Sequence, residues 1–271
     1  MNAKTKELLG AYLALLRGQV HSLTSYRASF AVELFSNLGG TTLDVLTVLV
    51  VFRATRSVAG FSLIEGLLMV SLSSLGFAMA DFAVGNIDRL KNYVRTGTMD
   101  AVLVRPLAAL PQLLLMDLPL RKALRLVVSG AVLVVALRSN DIVWTPSRVV
   151  LLVLAPVAGA VFFSSIFVLS ASLTFWWIDS GELGSSFTYG GRDFTAYPVP
   201  VYAGWFRAVF AYAMGFGFVA YQPALALLGR ADPLGLPSWA GFLSPLVAVV
   251  AAFFAAVVWR AGIRHYRSTG S

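Results

Sequence analysis

Long apolar runs, separated by short basic segments, set the pattern of the chain. A helix needs ~20 mostly apolar residues to cross ~30 Å of hydrocarbon. Six stretches reach that length, at about 30–52, 61–84, 122–142, 149–178, 201–220 and 242–259. The fourth is the cleanest, since nothing charged stands between Arg148 and Asp179. The third begins among Arg121, Lys122 and Arg125. Ahead of the first, Leu9, Tyr12, Leu13, Leu16, Val20 and Leu23 recur at spacings of three and four, with Lys6, Arg17, Gln19 and His21 between them. One apolar stripe on a basic helix predicts an amphipathic helix lying in the membrane interface over 1–29. The short apolar core and small-residue cleavage site of a signal peptide are missing from that pattern, so a cleaved leader is not expected. The expected fold is an all-α integral membrane protein: an N-terminal interfacial helix over 1–29, a six-span domain over 30–260 and a basic tail over 261–271.

Composition agrees. Of 271 residues 58% are hydrophobic and only 13% charged, against ~25% charged in a soluble domain. Mean hydropathy is +0.78 and there is no cysteine, which excludes a disordered chain and a disulfide-built module. The net charge of +8 would suggest nucleic acid in a soluble protein. Here its placement decides otherwise. Six spans put both termini on one side, and with the N-terminus inside, sixteen of the 21 lysines and arginines fall on that side. They include a dense group from Arg89 to Arg125, then Arg192 and Arg207, and the tail residues Arg260, Arg264 and Arg267. Only Arg53, Arg56, Arg138, Arg148 and Arg230 fall on the other. The excess assigns both termini to the cytoplasm, and no nucleic-acid partner is expected.

No soluble catalytic pattern is present. Without a Gly-Lys pair the chain has no phosphate-cradling loop of its own. His21 and His265 lack zinc-ligand spacing, so no metal site is expected. No two glycines are four apart, so the Gly-xxx-Gly helix-pairing motif is absent. Of the acidic residues Glu33, Asp44, Glu65 and Asp81, Asp44 lies deepest, ~21 Å along the first span. A carboxylate there must be paired, protonated or facing water. It fits either an intramembrane polar site on a substrate path or a contact with Arg53 or Arg56. Phe162, Phe163, Phe167, Phe175, Trp176 and Trp177 fit either an aromatic lining or helix packing and lipid contact.

The segment between the second and third spans is the most specific. Ile87, Leu90, Tyr93 and Val94 fall on one helical face, while Asp88, Arg89, Lys91 and Arg95 occupy the rest. Gly97 suits a helix terminator, and a second short run carrying Asp100 ends before Arg105 and Pro106. A charge-rich helix over about 86–97, a turn and a second short element make either a solvated loop or a docking knob. After the fifth span, Pro223 disfavours an unbroken helix, and Gly229, Pro233, Gly235 and Pro237 interrupt the chain repeatedly. Residues 221–240 are read as short outer re-entrant elements, with Tyr221, Pro223, Leu225 and Leu228 as candidate outer-gate residues.

The run Arg95-Thr96-Gly97-Thr98-Met99-Asp100, followed by Leu103-Val104-Arg105-Pro106-Leu107, resembles the cytoplasmic segment of bacterial ABC-2 type ABC transporter permeases. Further likenesses are Phe175-Trp176-Trp177-Ile178-Asp179, Tyr197-Pro198-Val199, Tyr221-Gln222-Pro223-Ala224 and the closing run from Trp259 to Arg267. Ala211-Tyr212-Ala213-Met214-Gly215 departs from the family's pattern. The resemblance implies a half-permease of an exporter in the bacterial inner membrane. It would pair with a second permease chain, identical or sister, and dock a separate ATPase subunit, which would carry the ATP and Mg. Residues 86–97 would be the coupling helix, joined by Gly97, Asp100, Arg105 and Pro106 just beyond. Two other classes compete: a membrane enzyme acting on lipids, which would cluster Asp or His at the surface, and an ion-coupled carrier, which would show inverted repeats.

Overall fold

The computed structural model describes residues 49–55, 57–116 and 122–267, with single helical positions at 42, 46 and 47. The interfacial helix, most of the first span and Asp44 lie outside the described residues. The architecture is all-helical, and no strand occurs among the described residues.

Helix α1 (Leu63–Val84) starts from a capping box: Ser62 Oγ accepts from the Glu65 amide, and the Glu65 carboxylate accepts from the Ser62 amide at 2.7 Å. Two of the orphan donors at a helix start are thereby satisfied. A 3-10 turn (Gly85–Arg89) continues α1 into α2 (Leu90–Arg95), so that 63–95 forms one helical segment of 33 residues. At 1.5 Å per residue it is roughly 50 Å long, about 20 Å more than the hydrocarbon core. The segment read from the sequence as a coupling helix is therefore the end of the second expected span's helix rather than a separate loop helix.

Gly97, at φ +69°, turns the chain into α3 (Thr98–Leu103), followed by α4 (Ala109–Leu115). Next come α5 (Ala123–Ser139) and α6 (Pro146–Ser172). Thr145 caps α6 and Pro146 occupies its first turn, where no amide partner is lost. Helix α6 packs against α1 and against the last helix, α10 (Ser244–His265), while α5 packs on the other side of α1. Gly76 and Gly159 let α1 and α6 cross with their backbones nearly touching: a Cβ on Gly76 would sit 3.2 Å from the Gly159 backbone. The absent Gly-xxx-Gly motif thus has a substitute, one glycine from each helix, which no spacing within either helix reveals.

Among the described residues, three helical segments are long and apolar enough to cross a membrane: Leu63–Arg95, Pro146–Phe175 and Ser238–His265. The third expected span forms α5, whose 17 residues reach only ~26 Å. The fifth differs most from expectation. Its chain forms α8 (Gly204–Arg207) and a π-helical turn (Ala208–Ala213), breaks at Met214 and Gly215, and resumes as a 3-10 turn (Phe216–Phe218) and α9 (Tyr221–Leu228). The two limbs bend by 64° and together make a fourth candidate crossing, a broken one. The cause is local. Gly215 holds φ +91°, and a Cβ there would meet Val247 at 2.6 Å. The break falls in the stretch that departs from the resembled family's pattern. Pro223 interrupts nothing: it lies in the first turn of α9, where its missing N–H is not needed.

Residues 178–200, expected as a loop on the basic side, instead contain α7 (Gly181–Thr195), which climbs antiparallel to α6 into the bundle. Gly184 packs on Ser170, and Thr188 Oγ1 donates to Ser170 Oγ at 3.1 Å. A Cβ at Gly191 would meet the Phe216 ring at 2.4 Å. Thr195 Oγ1 and Ser73 Oγ lie 2.5 Å apart at the midpoint of α1. Gly181, Gly184, Thr188 and Gly191 form a small-residue face at spacings of three, four and three. Arg192, counted by sequence among the cations of the cytoplasmic side, has its side chain only 14% exposed within the bundle, its guanidinium 5.3 Å from the centre of the Phe77 ring.

Candidate coupling surface and transport path

The end of the bundle where α1 passes into α2 carries the sequence-derived coupling residues. Their apolar members turn inward. Ile87, Leu90 and Val94 are at most 2% exposed, as are Met99 and Val102 of α3, and Tyr93 is partly buried. Asp88, Arg89, Arg95, Arg105 and Pro106 are exposed. The element is therefore amphipathic as read, with its apolar face used to fix it to the bundle.

Several polar ties hold it. Asp179 accepts from Arg95 Nη2 at 2.6 Å, and Lys91 Nζ lies 3.0 Å from the same oxygen. The hydrogen bond and charge of Lys91, then the charge of Arg95, hold the Asp179 carboxyl below the usual aspartate range. Asn86 Nδ2 donates to Tyr93 Oη and to the Leu113 carbonyl, both at 3.3 Å. Tyr266 donates to Asp100 at 3.0 Å; burial first, then this bond, pushes its phenol up to about 12, so it remains a donor at neutral pH. Where α1 enters the 3-10 turn, Lys122 Nζ meets buried Asp81 at 2.5 Å and Arg125 follows at 3.7 Å. A Cβ on Gly85 would strike the Asp81 carboxylate and the Lys122 ammonium, so a side chain there would displace that ion pair. What remains directed outward and apolar is the end of α3, with Leu103 38% and Val104 85% exposed, next to Arg105 and Pro106.

The Asp179 clamp yields a pH prediction. A carboxylate whose folded pKa is depressed stabilises the fold above its unfolded pKa, and that contribution is lost as pH falls through the folded value. Amide exchange over residues 90–95, corrected for intrinsic rate, is expected to be constant from neutral pH to the usual aspartate range and to accelerate below it. Asp179→Asn should exchange fast throughout. A wild-type acid transition that survives in that variant would assign it to another group.

The opposite end is closed by a second polar group. Arg230 Nη1 donates to both Glu65 oxygens at 2.8 Å, Arg230 Nη2 donates to the Gly60 carbonyl at 2.6 Å, and the guanidinium sits 4.2 Å from the Phe61 ring centre. Buried Asp232 accepts from Tyr221 Oη at 2.8 Å, Gln222 Nε2 at 2.7 Å and the Leu234 amide at 3.0 Å. Of the candidate gate residues, Tyr221, Pro223 and Leu225 are buried and Leu228 partly so. Sequence reading missed Asp232, Arg230 and Asp179 as partners, because their mates are brought by folding and not by spacing.

The aromatic residues resolve by position. Phe162, Phe163, Phe167 and Phe175 are buried, stacked edge-on among Phe77, Phe216, Tyr189 and Trp259. Trp176 and Trp177 are 47% and 57% exposed. At the tip of α7 lies a cavity of about 360 Å³ lined by Thr47, Val70, Ser73, Ser74, Arg192, Asp193, Ala196 and Tyr197.

Apolar helices of spanning length, a broken crossing and a structured knob at one end define a polytopic membrane protein. A family model described as "ABC-2 family transporter protein" matches residues 38–270, and the chain belongs to that family. It is accordingly a membrane permease of an ABC transporter. No curated protein matches the chain significantly.

Proposed function

We propose that the chain is the membrane subunit of an ATP-driven exporter in a bacterial plasma membrane, half of a translocation path moved by a separate ATPase. The observation that carries this reading is the rigid projection at the end of α1. A knob braced by five buried apolar side chains and the Asp179 clamp transmits force into the bundle along α1, whereas a solvated loop would not. ATP binding would draw two ATPase subunits together, push on the projection and tilt α1 against α6. The positive-inside excess supports a cytoplasmic position for the knob, together with the C-terminus.

The second permease chain is a further part of the proposal. Helix α10 leaves Leu246, Val249, Val250, Phe253, Phe254 and Val257 exposed, an apolar face suited to lipid tails and a neighbouring chain. The test is co-expression with a P-loop ATPase encoded beside the gene. The two chains should co-purify, and the permease should stimulate ATP hydrolysis. Failure with every such ATPase would defeat the reading.

The external end then acts as an outlet gate, with Tyr221, Pro223, Leu225 and Leu228 as its moving part and the Glu65–Arg230 pair as a latch. Because the chain has no native cysteine, Leu225→Cys can be labelled cleanly. It is expected to resist an aqueous maleimide without nucleotide and to react when the complex is trapped with ATP. Equal labelling in both states would remove α9 from the gate.

A further inference from the structure

The outward face of α10 changes character along its length. Leu246, Val250, Phe253 and Val257 recur at spacings of four, three and four, and the same alternation continues to Arg260 and Arg264. Those spacings keep all six on one helical stripe, and all six are exposed. An apolar stripe thus ends in two arginines, at the end of the bundle that carries the knob. From Val250 to Arg260 the helix rises ~15 Å, half of a ~30 Å hydrocarbon core. The apolar part therefore matches one leaflet's acyl chains, and the arginines fall at the level of its headgroups.

These arginines differ from the other cations nearby. Lys91, Arg95, Lys122 and Arg125 are each tied to Asp179 or Asp81. No carboxylate among the described residues pairs with Arg260 or Arg264. Beside them the turn after α6 docks on α10. Gly262 leaves room for the Phe175 ring, and Trp176 stacks on His265 with ring centres 5.8 Å apart. Trp176 and Trp177 stay exposed, and indole rings concentrate at the headgroup level of membranes. A second copy of the chain fits this end poorly. Two chains related by an axis along the membrane normal place identical residues at the same depth, so an isologous contact would bring the arginines toward their own copies. An anionic headgroup neutralises them instead, and the guanidinium fork matches phosphate oxygens.

We propose that this half of the α10 face is a binding site for an anionic phospholipid of the leaflet on the knob's side. Its phosphate is held by Arg260 and Arg264, an acyl chain lies along Val257 and Phe253, and Trp176 stands at the headgroup. The other end of the stripe, at Leu246 and Val249, is left for a neighbouring chain. The inference goes beyond the transport reading and depends on neither the ATPase nor the direction of transport.

The test uses the full chain without ATPase, so its failure is separable from failure of the coupling reading. Because the chain has no native cysteine, Phe254→Cys carries a single bimane dye. That site is exposed and lies six residues before Arg260, ~9 Å deeper along α10. The labelled chain is reconstituted in mixed vesicles of phosphatidylcholine and phosphatidylglycerol, with one lipid or the other brominated at mid-chain so that it quenches the dye on contact. Quenching against brominated fraction gives the relative affinity of the two lipids for this face. Phosphatidylglycerol is expected to be favoured roughly tenfold, from the attraction of two arginines at a membrane surface. Arg260→Gln together with Arg264→Gln should bring the ratio close to one, and lysine at both positions should keep most of the preference. Raising the salt concentration should shrink it in the parent variant, which keeps the test decisive if the glutamine pair does not accumulate. Equal quenching by the two lipids would overturn the proposal. So would a preference indifferent to both the glutamine pair and salt, or quenching by neither lipid, which would mean that protein covers the face.

Discussion

Gly76→Val is expected to lower the melting temperature of the folded permease sharply. The α1–α6 crossing depends on the missing side chain: a single Cβ at Gly76 already falls 3.2 Å from both the Cα and the carbonyl carbon of Gly159. Those are backbone atoms of a continuous helix and cannot rotate away. Valine adds two further methyl groups at the same point. Overpacking typically costs ~1–3 kcal/mol, and here relief requires α6 to shift as a body, moving its contacts with α10 as well. Against a total stability of ~5–15 kcal/mol, a cost at the upper end of that range removes a large share of it. The control is Gly130→Val on α5, where a Cβ meets nothing within 4 Å. Melting of the detergent-purified chain, followed by fluorescence size exclusion, should show the control near wild type and Gly76→Val sharply lowered. Two matching melting curves would mean that α1 and α6 do not cross at these glycines.

Much of the architecture was legible in the sequence because membrane crossing is a one-dimensional constraint. Length and hydropathy alone mark α6 and α10, and the positions of Gly97 and of Arg105 followed by Pro106 mark the turns around α3. The inward face of the coupling segment was equally readable, since Ile87, Leu90 and Val94 repeat at helical spacing and are the residues that become buried. The fifth expected span is broken rather than continuous, for a physical reason. Its average apolarity is adequate, but the break depends on one glycine at positive φ facing Val247, and hydropathy carries no information about φ. Helix α7 was missed because its polar composition resembles a loop. Its one signal was the small-residue face from Gly181 to Gly191, which has meaning only once Ser170 and Phe216 are placed against it. The polar sites depend on the tertiary fold in the same way. Glu65 and Arg230 are 165 positions apart, and no local pattern connects them.

That distinction also changes which substitutions probe coupling. Arg95 and Lys91 stand out in the sequence as docking charges, but they are committed to Asp179, so reversing either one loosens the knob itself. Val104 is a cleaner probe. It is 85% exposed on the outer end of α3, flanked by Leu103, Arg105 and Pro106, and contributes little to its own fold. Burying a valine against a partner is worth ~1.5–3 kcal/mol, and a glutamate in an apolar cleft adds a desolvation cost. Val104→Glu should therefore lower affinity for the ATPase by at least about tenfold while leaving the melting temperature of the isolated permease unchanged. The most direct measurement is the amount of ATPase recovered with affinity-tagged permease, wild type against Val104→Glu, together with the ATP hydrolysis of the recovered complex. Both should collapse in the variant; undiminished recovery with undiminished hydrolysis would contradict coupling through this surface.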